Sequence, residues 1–147
     1  MPKISKIKGR QVFDSRGIPT VESEIYLDDG SRASAIVPAG ASTGTYEAYE
    51  LRDLEKKNYL GKGVSKAIKN INEEISKAVL GLSIEDQRII DNTLIELDNT
   101  KQKKRLGANA TLAVSIAASK ANAISKKISL YKSLGKEQTL PLPLMNI

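Results

Sequence analysis

Residues 20–27 alternate cleanly: Val21, Ser23, Ile25 and Leu27 fall on one side, Glu22, Glu24 and Tyr26 on the other. That is the period of two expected of a strand with one buried face. Asp28-Asp29-Gly30 supplies a turn whose glycine can take positive φ, and residues 31–37 return as a further strand, so 20–37 reads as a β-hairpin. The stretch before it is less regular. Ile4 and Ile7 stand three apart instead of two, Gly9 interrupts, and Val12-Phe13 lead into the turn Asp14-Ser15-Arg16-Gly17. Residues 3–13 still predict a strand, which makes the start of the chain a three-stranded antiparallel meander.

Residues 46–59 are dense in charge and lack a sustained period, which predicts irregular structure with at most a short helix over 46–51. Then the period changes to that of a helix. Val64, Ala67, Ile68, Ile71 and Ile75 follow three-four spacing, with Gly81 as the stop. Ser83 followed by Asp86 resembles an amino-terminal cap for a second helix through Ile90, Leu94 and Leu97. Asn99 and the basic run Lys101-Gln102-Lys103-Lys104-Arg105 form the next loop. Asn109 reads as the cap of a third helix over 110–127, with Ala113, Ala117 and Ala121 as a small-residue stripe beside Leu112, Val114, Ile116 and Ile124. A short helix at 130–134 ends at Gly135. Strands followed by helices, not alternating with them, predict an α+β domain: a three-stranded antiparallel meander followed by about four helices. No internal repeat or low-complexity tract is present.

Composition narrows the classes. With 147 residues, 40% of them hydrophobic and 27% charged, the chain is about one ordinary globular domain. It has no Cys, hence no disulfide framework, and a reducing cytoplasm is its simplest home. No apolar run approaches the ~18 residues of a membrane span, and the interrupting Ser115, Ser119 and Lys120 make the third helix a buried central one. Lys and Arg number 23 against 17 Asp and Glu, a formal charge of +6. Nucleic-acid binding is nonetheless disfavoured, because the basic residues are dispersed and the densest run, residues 101–105, has no aromatic stacking partner. The absence of His removes the commonest general acid/base and metal ligand from the available chemistry.

Chemistry enters at Val37-Pro38-Ala39-Gly40-Ala41-Ser42-Thr43-Gly44, a loop of small residues and two hydroxyls between the last strand and the charged segment. Its glycines permit close backbone approach, and Ala41, Ser42 and Thr43 leave amides and hydroxyls uncovered, so the loop reads as a mobile element able to fold over an anion or a metal. Together with residues 14–22 (DSRGIPTVE), 50–53 (ELRD), 59–64 (YLGKGV), 94–98 (LIELD), 106–110 (LGANA) and 142–147 (LPLMNI), it closely resembles the amino-terminal part of enolase, in that family's order and with similar spacing. Two departures are visible: Ile18 where the family usually has Asn, and Ala39 where it often has Ser.

The resemblance implies the following. Residues 1–139 would be a lid and dimer-contact domain, and 140–147, Pro-rich and ending apolar as if a strand were cut short, the start of a carboxy-terminal barrel domain. Enolases dehydrate 2-phosphoglycerate to phosphoenolpyruvate in glycolysis, with Mg2+ stabilising the charge that develops, and in the family the catalytic groups and first-metal carboxylates belong to the barrel. This segment alone is therefore expected to be inactive, with no catalytic residue of its own. By resemblance Ser42 supplies its hydroxyl and carbonyl to the second magnesium, while Gly40, Ala41, Thr43 and Gly44 complete the substrate lid. Arg10 and Glu22 match positions that form ion pairs with the partner's barrel in family dimers, implying a homo-oligomer; two such residues on meander strands can equally pair with each other. The reading from another class is a free-standing basic binding module that has lost the barrel.

Overall fold

A computed structural model describes residues 1–40, 44–135 and 142–144. Strands β1 (Ile4–Phe13), β2 (Pro19–Leu27) and β3 (Arg32–Val37) form one antiparallel sheet in the order β1-β2-β3. Gly30 turns the β2–β3 hairpin with φ +85°, as the sequence predicts. Val21, Ser23, Ile25 and Leu27 are all buried on the face that meets the helices. The three-residue spacing of Ile4 and Ile7 has a local cause. The register with β2 shifts between Ile4 and Lys6, an irregularity of the bulge type that adds one residue and returns both isoleucines to the buried face.

Helices cover one face of the sheet. A rod is built from α1 (Ser65–Asn70), a π-helical stretch (Ile71–Ile75) and α2 (Ser76–Val79); it packs along β1. Gly9 does not interrupt β1; it admits this rod, since a Cβ at Gly9 would lie 2.9 Å from Ile71 Cβ. Beside that contact Asn72 acts as a substitute strand. Its carboxamide accepts from Gly9 N–H (2.8 Å) and donates to Gly9 C=O (3.0 Å) at the free edge of β1. Gly81, with φ +80°, follows the rod.

α3 (Gln87–Asp98) and α4 (Ala108–Ser125) complete the layer, with α5 (Leu130–Leu134) at its end. α4 lies across β2 and β3, and its buried positions include Ala110, Ala113, Ala117, Ala118 and Ala121. Small side chains let the helix backbone come close to the sheet, while Leu112 and Ile124 of the same helix are about half exposed. Ile25, Ile71, Ile75, Ile84, Ile90, Leu106 and Val114 form the fully buried centre. Among the described residues no helix is long and apolar enough to cross a membrane.

Two local expectations, both of helix caps, are corrected, and one is narrowed. Residues 46–51 are irregular, as expected, without the short helix that the sequence allowed there; the nearest described helical turn is the 3₁₀ turn Tyr59–Gly61. The backbone of that segment is engaged elsewhere: Tyr49 N–H donates to Gln102 C=O (2.6 Å), and Ala108 N–H to Tyr49 C=O (2.8 Å). Asp86, not Ser83, caps α3, accepting from Arg88 N–H at 2.9 Å, while Ser83 bridges to Lys3. Asn109 does not cap α4, which starts two residues earlier than expected, at Ala108 after Gly107 at φ +95°. Its carboxamide is turned onto Leu51 instead, accepting from the N–H (3.2 Å) and donating to the C=O (3.1 Å).

Candidate functional site

The site begins where β3 stops. Val37 is the last ladder residue, opposite Val21, and Pro38 has no N–H with which to continue. The carbonyls on either side of Pro38 are taken by side chains from the β1–β2 connection. Thr20 Oγ1 donates to Val37 C=O, and Arg16 Nη2 donates to Ala39 C=O at 2.9 Å. Arg16 stands on a tight turn organised by Asp14, whose Oδ1 accepts from the amides of Arg16 (2.8 Å) and Ile18 (2.9 Å). The Ile18 amide is the largest influence on the Asp14 carboxyl; it outweighs partial burial and, with the Arg16 amide and charge, holds the pKa below its ordinary value.

On the far side of the loop, Gly44 C=O accepts from Glu47 N–H at 3.2 Å. Between the two ends lies a cleft of about 580 Å³ whose lining includes Val37, Gly40, Gly44, Glu47, Tyr49, Arg52, Lys104 and Asn109. Gly40 and Gly44 therefore border one cavity, whereas Ala41, Ser42 and Thr43 lie outside the described residues, as does the expected domain boundary at 139/140. Gly44 does not use a left-handed backbone, and a Cβ there would make ordinary contact with Glu47 at 3.5 Å.

Arg52, in the cleft lining, and its neighbour Asp53 have roles that the sequence did not disclose. Arg52 donates through Nη1 to Pro19 C=O (2.6 Å) and Lys62 C=O (2.5 Å), and through Nη2 to Glu50 (2.7 Å), so one guanidinium ties the β1–β2 connection to the irregular segment. Asp53 accepts from Ser65 N–H (2.8 Å) and Lys66 N–H (2.9 Å), satisfying the start of α1 from twelve residues upstream. Burial pushes the Asp53 carboxyl up, but these two amides, with the Ser65 side chain and the Lys66 charge, outweigh it and leave the pKa lowered. The only signal for either was their place in the ELRD motif, which assigns no contact.

Arg10 and Glu22 face one another in the β1–β2 register. Arg10 Nε lies 2.5 Å from Glu22 and Nη2 lies 2.7 Å from Glu24, which also accepts from Tyr26 Oη (2.8 Å). The Tyr26 hydroxyl, then Arg10, keep the Glu24 carboxyl below its ordinary pKa despite partial burial. Alternation places Glu24 and Tyr26 on the face of Glu22, but it does not disclose that Glu24 shares Arg10 with Glu22 or that Tyr26 bonds Glu24. In the basic run Arg105 is bound to Glu74 and to the carbonyls of Leu97 and Asp98, and Lys103 Nζ donates to Thr100 C=O, so these charges do not form one open cationic surface.

Among the described residues no group of three or more acidic side chains could hold a metal ion. Of the two carboxylates lining the cleft, Glu50 is already paired with Arg52.

An antiparallel meander backed on one face by helices, with a cleft bordered by Gly40 and Gly44 at the end of its last strand, defines an α+β domain. Residues 4–134 match the family described as enolase, N-terminal domain, and the chain belongs to that family.

Proposed function

We propose that this chain is the lid and subunit-contact domain of a cytoplasmic, magnesium-dependent lyase that dehydrates 2-phosphoglycerate to phosphoenolpyruvate. The observation that carries the reading is the family match over residues 4–134 together with a loop whose stem is fastened above a cleft. The enolase family pairs this domain with a barrel, and residues 140–147 would begin it, leaving 1–139 as the domain proper. Catalytic acid and base come from the barrel, so the 147-residue segment alone forms no product.

In this reading Ser42 gives its hydroxyl and carbonyl oxygens to the second Mg2+, which stabilises negative charge developing on the substrate. Gly40, Ala41, Thr43 and Gly44 form the backbone that approaches the phosphate; small residues there keep the covering surface thin and exclude water. Arg10 and Glu22 exchange part of their mutual pairing for partners on a second subunit of a homo-oligomer. Arg10 is partly exposed, which leaves its guanidinium accessible for that exchange.

Ser42→Ala in the complete enzyme tests the assignment. Losing one ligand that acts on developing charge is expected to reduce turnover by ~2–4 kcal/mol in activation free energy, by analogy with single oxyanion donors. The magnesium requirement should rise while the melting temperature hardly moves. Unchanged turnover and magnesium response would make Ser42 an ordinary loop residue.

A further inference from the structure

We propose that Arg16 is a positioning residue for the glycine loop: by holding Ala39 C=O it fixes the point at which the chain leaves β3. The inference rests on the lid reading above and adds to it the element that aims the lid.

Arg16 reaches Ala39 across 23 residues of sequence, at 2.9 Å, from a turn that is itself locked by the two amide bonds to Asp14. The same Nη2 lies 3.4 Å from Asp14 Oδ2, so the guanidinium is oriented from behind while it grips the loop. Its side chain is 48% exposed and adds little to the core, which makes packing a poor explanation for the contact. The opposite end of the loop is fixed independently through Tyr49, bonded to Gln102 and Ala108. Between these anchors the described residues make one backbone hydrogen bond, Glu47 to Gly44. A loop fastened at two points closes along a restricted path; releasing one anchor enlarges the set of open conformations from which closure must start and so raises its entropic cost. A lysine at position 16 keeps the charge but on a shorter side chain with a more strongly hydrated head, so it holds Ala39 C=O less firmly than the guanidinium does.

The complete enzyme should be compared as wild type, Arg16→Ala, Arg16→Lys and Ser42→Ala. Arg16→Ala should lower kcat/KM about tenfold, mainly through a higher KM, as expected for loss of one charge-assisted hydrogen bond. Its melting temperature should stay close to wild type. Chymotryptic cleavage after the exposed Tyr46, followed by mass in the absence of substrate, should accelerate several-fold, with Arg16→Lys in between. Ser42→Ala should lower turnover without changing that cleavage. If Ser42→Ala lowers turnover but Arg16→Ala alters neither kcat/KM nor cleavage, the Arg16 role is overturned and the lid reading stands. If Arg16→Ala accelerates cleavage while neither variant affects turnover, the lid reading fails and the positioning role fails with it.

Discussion

Asp53 and Gly63 show how one missing carbon holds a helix start in place. Val64, in the N-cap position of α1, has no side-chain oxygen to offer the first amides, and Asp53 supplies both bonds from a distance. A Cβ on Gly63 would lie 2.5 Å from Asp53 Oδ2, too close to coexist with the carboxylate where it stands. Gly63→Ala should therefore act by displacing Asp53. The expected loss is ~1–2 kcal/mol, the usual cost of a lost cap, and Asp53→Ala should cost a similar amount. Because both remove the same interaction, the double variant should be no worse than about the larger single one. Urea unfolding of the four proteins checks this, and additive losses would mean that the glycine matters for another reason. The relation is hidden in the sequence because a local cap is sought within three residues of the helix, whereas this one comes from twelve residues away. Arg16 and Ala39 are hidden in the same way: the motif containing Arg16 was legible, but its contact is made only when the hairpin and the loop stem meet.

At the level of elements, the β1 edge and the rod behave as one unit through Gly9, Ile71 and Asn72. Asn72 takes the place of a fourth strand for a single residue, pairing the Gly9 N–H and C=O that face away from β2. Asn72→Ala should leave both groups without their protein partners and cost ~1–2 kcal/mol. The specific readout is the Gly9 amide, whose hydrogen exchange should accelerate far more than that of amides in β2; an unchanged rate would show that the carboxamide does not protect the edge. Gly9 looks like an interruption in the sequence because pattern reading registers only that no apolar side chain is present. The structure gives its meaning in three dimensions: the absent side chain is filled by Ile71. The β2–β3 hairpin was legible because alternation and a turn glycine are local properties, and the three longer helical segments were legible from three-four spacing and stop signals. The charged segment after the loop was not, since its order comes from Asn109, Gln102 and Arg52 on other parts of the chain. For the site itself, the motifs located the loop and its glycines, while the Arg16–Ala39 contact, the Arg52 contacts and the sheet-face network required tertiary structure.

The whole domain is set up to lose stability in acid. Asp14, Asp53 and Asp98 have pKa values held below the ordinary 3.8, and Glu24 and Glu74 below 4.5. Asp98 is fully buried at the end of α3; burial alone would raise its pKa, but the Thr100 hydroxyl, the Leu106 amide at 2.7 Å and the Thr100 amide together reverse the sign. A carboxyl depressed in the folded state binds fewer protons there than in the unfolded chain. Its stabilising contribution is thus present above the unfolded pKa and is lost as pH falls through the folded one. These groups act in the same direction, and a chain already at +6 gains further positive charge over that interval, so self-repulsion adds to the effect. Unfolding free energy should be flat near neutrality and fall steeply from about pH 5 towards pH 2. Asp98→Asn isolates the most buried member of the set. Its carboxamide can present only one oxygen where the carboxylate presents two acceptors, so either Leu106 N–H or the Thr100 pair must lose its partner. The expected cost at pH 7 is ~1–3 kcal/mol, that of leaving a buried donor unsatisfied. The difference from wild type should shrink as pH falls, because protonating Asp98 removes from the wild type what the variant already lacks. Urea unfolding of both proteins at pH 7, 5 and 3 decides the matter: a constant difference across that range would mean that the Asp98 carboxylate is not a source of the acid sensitivity.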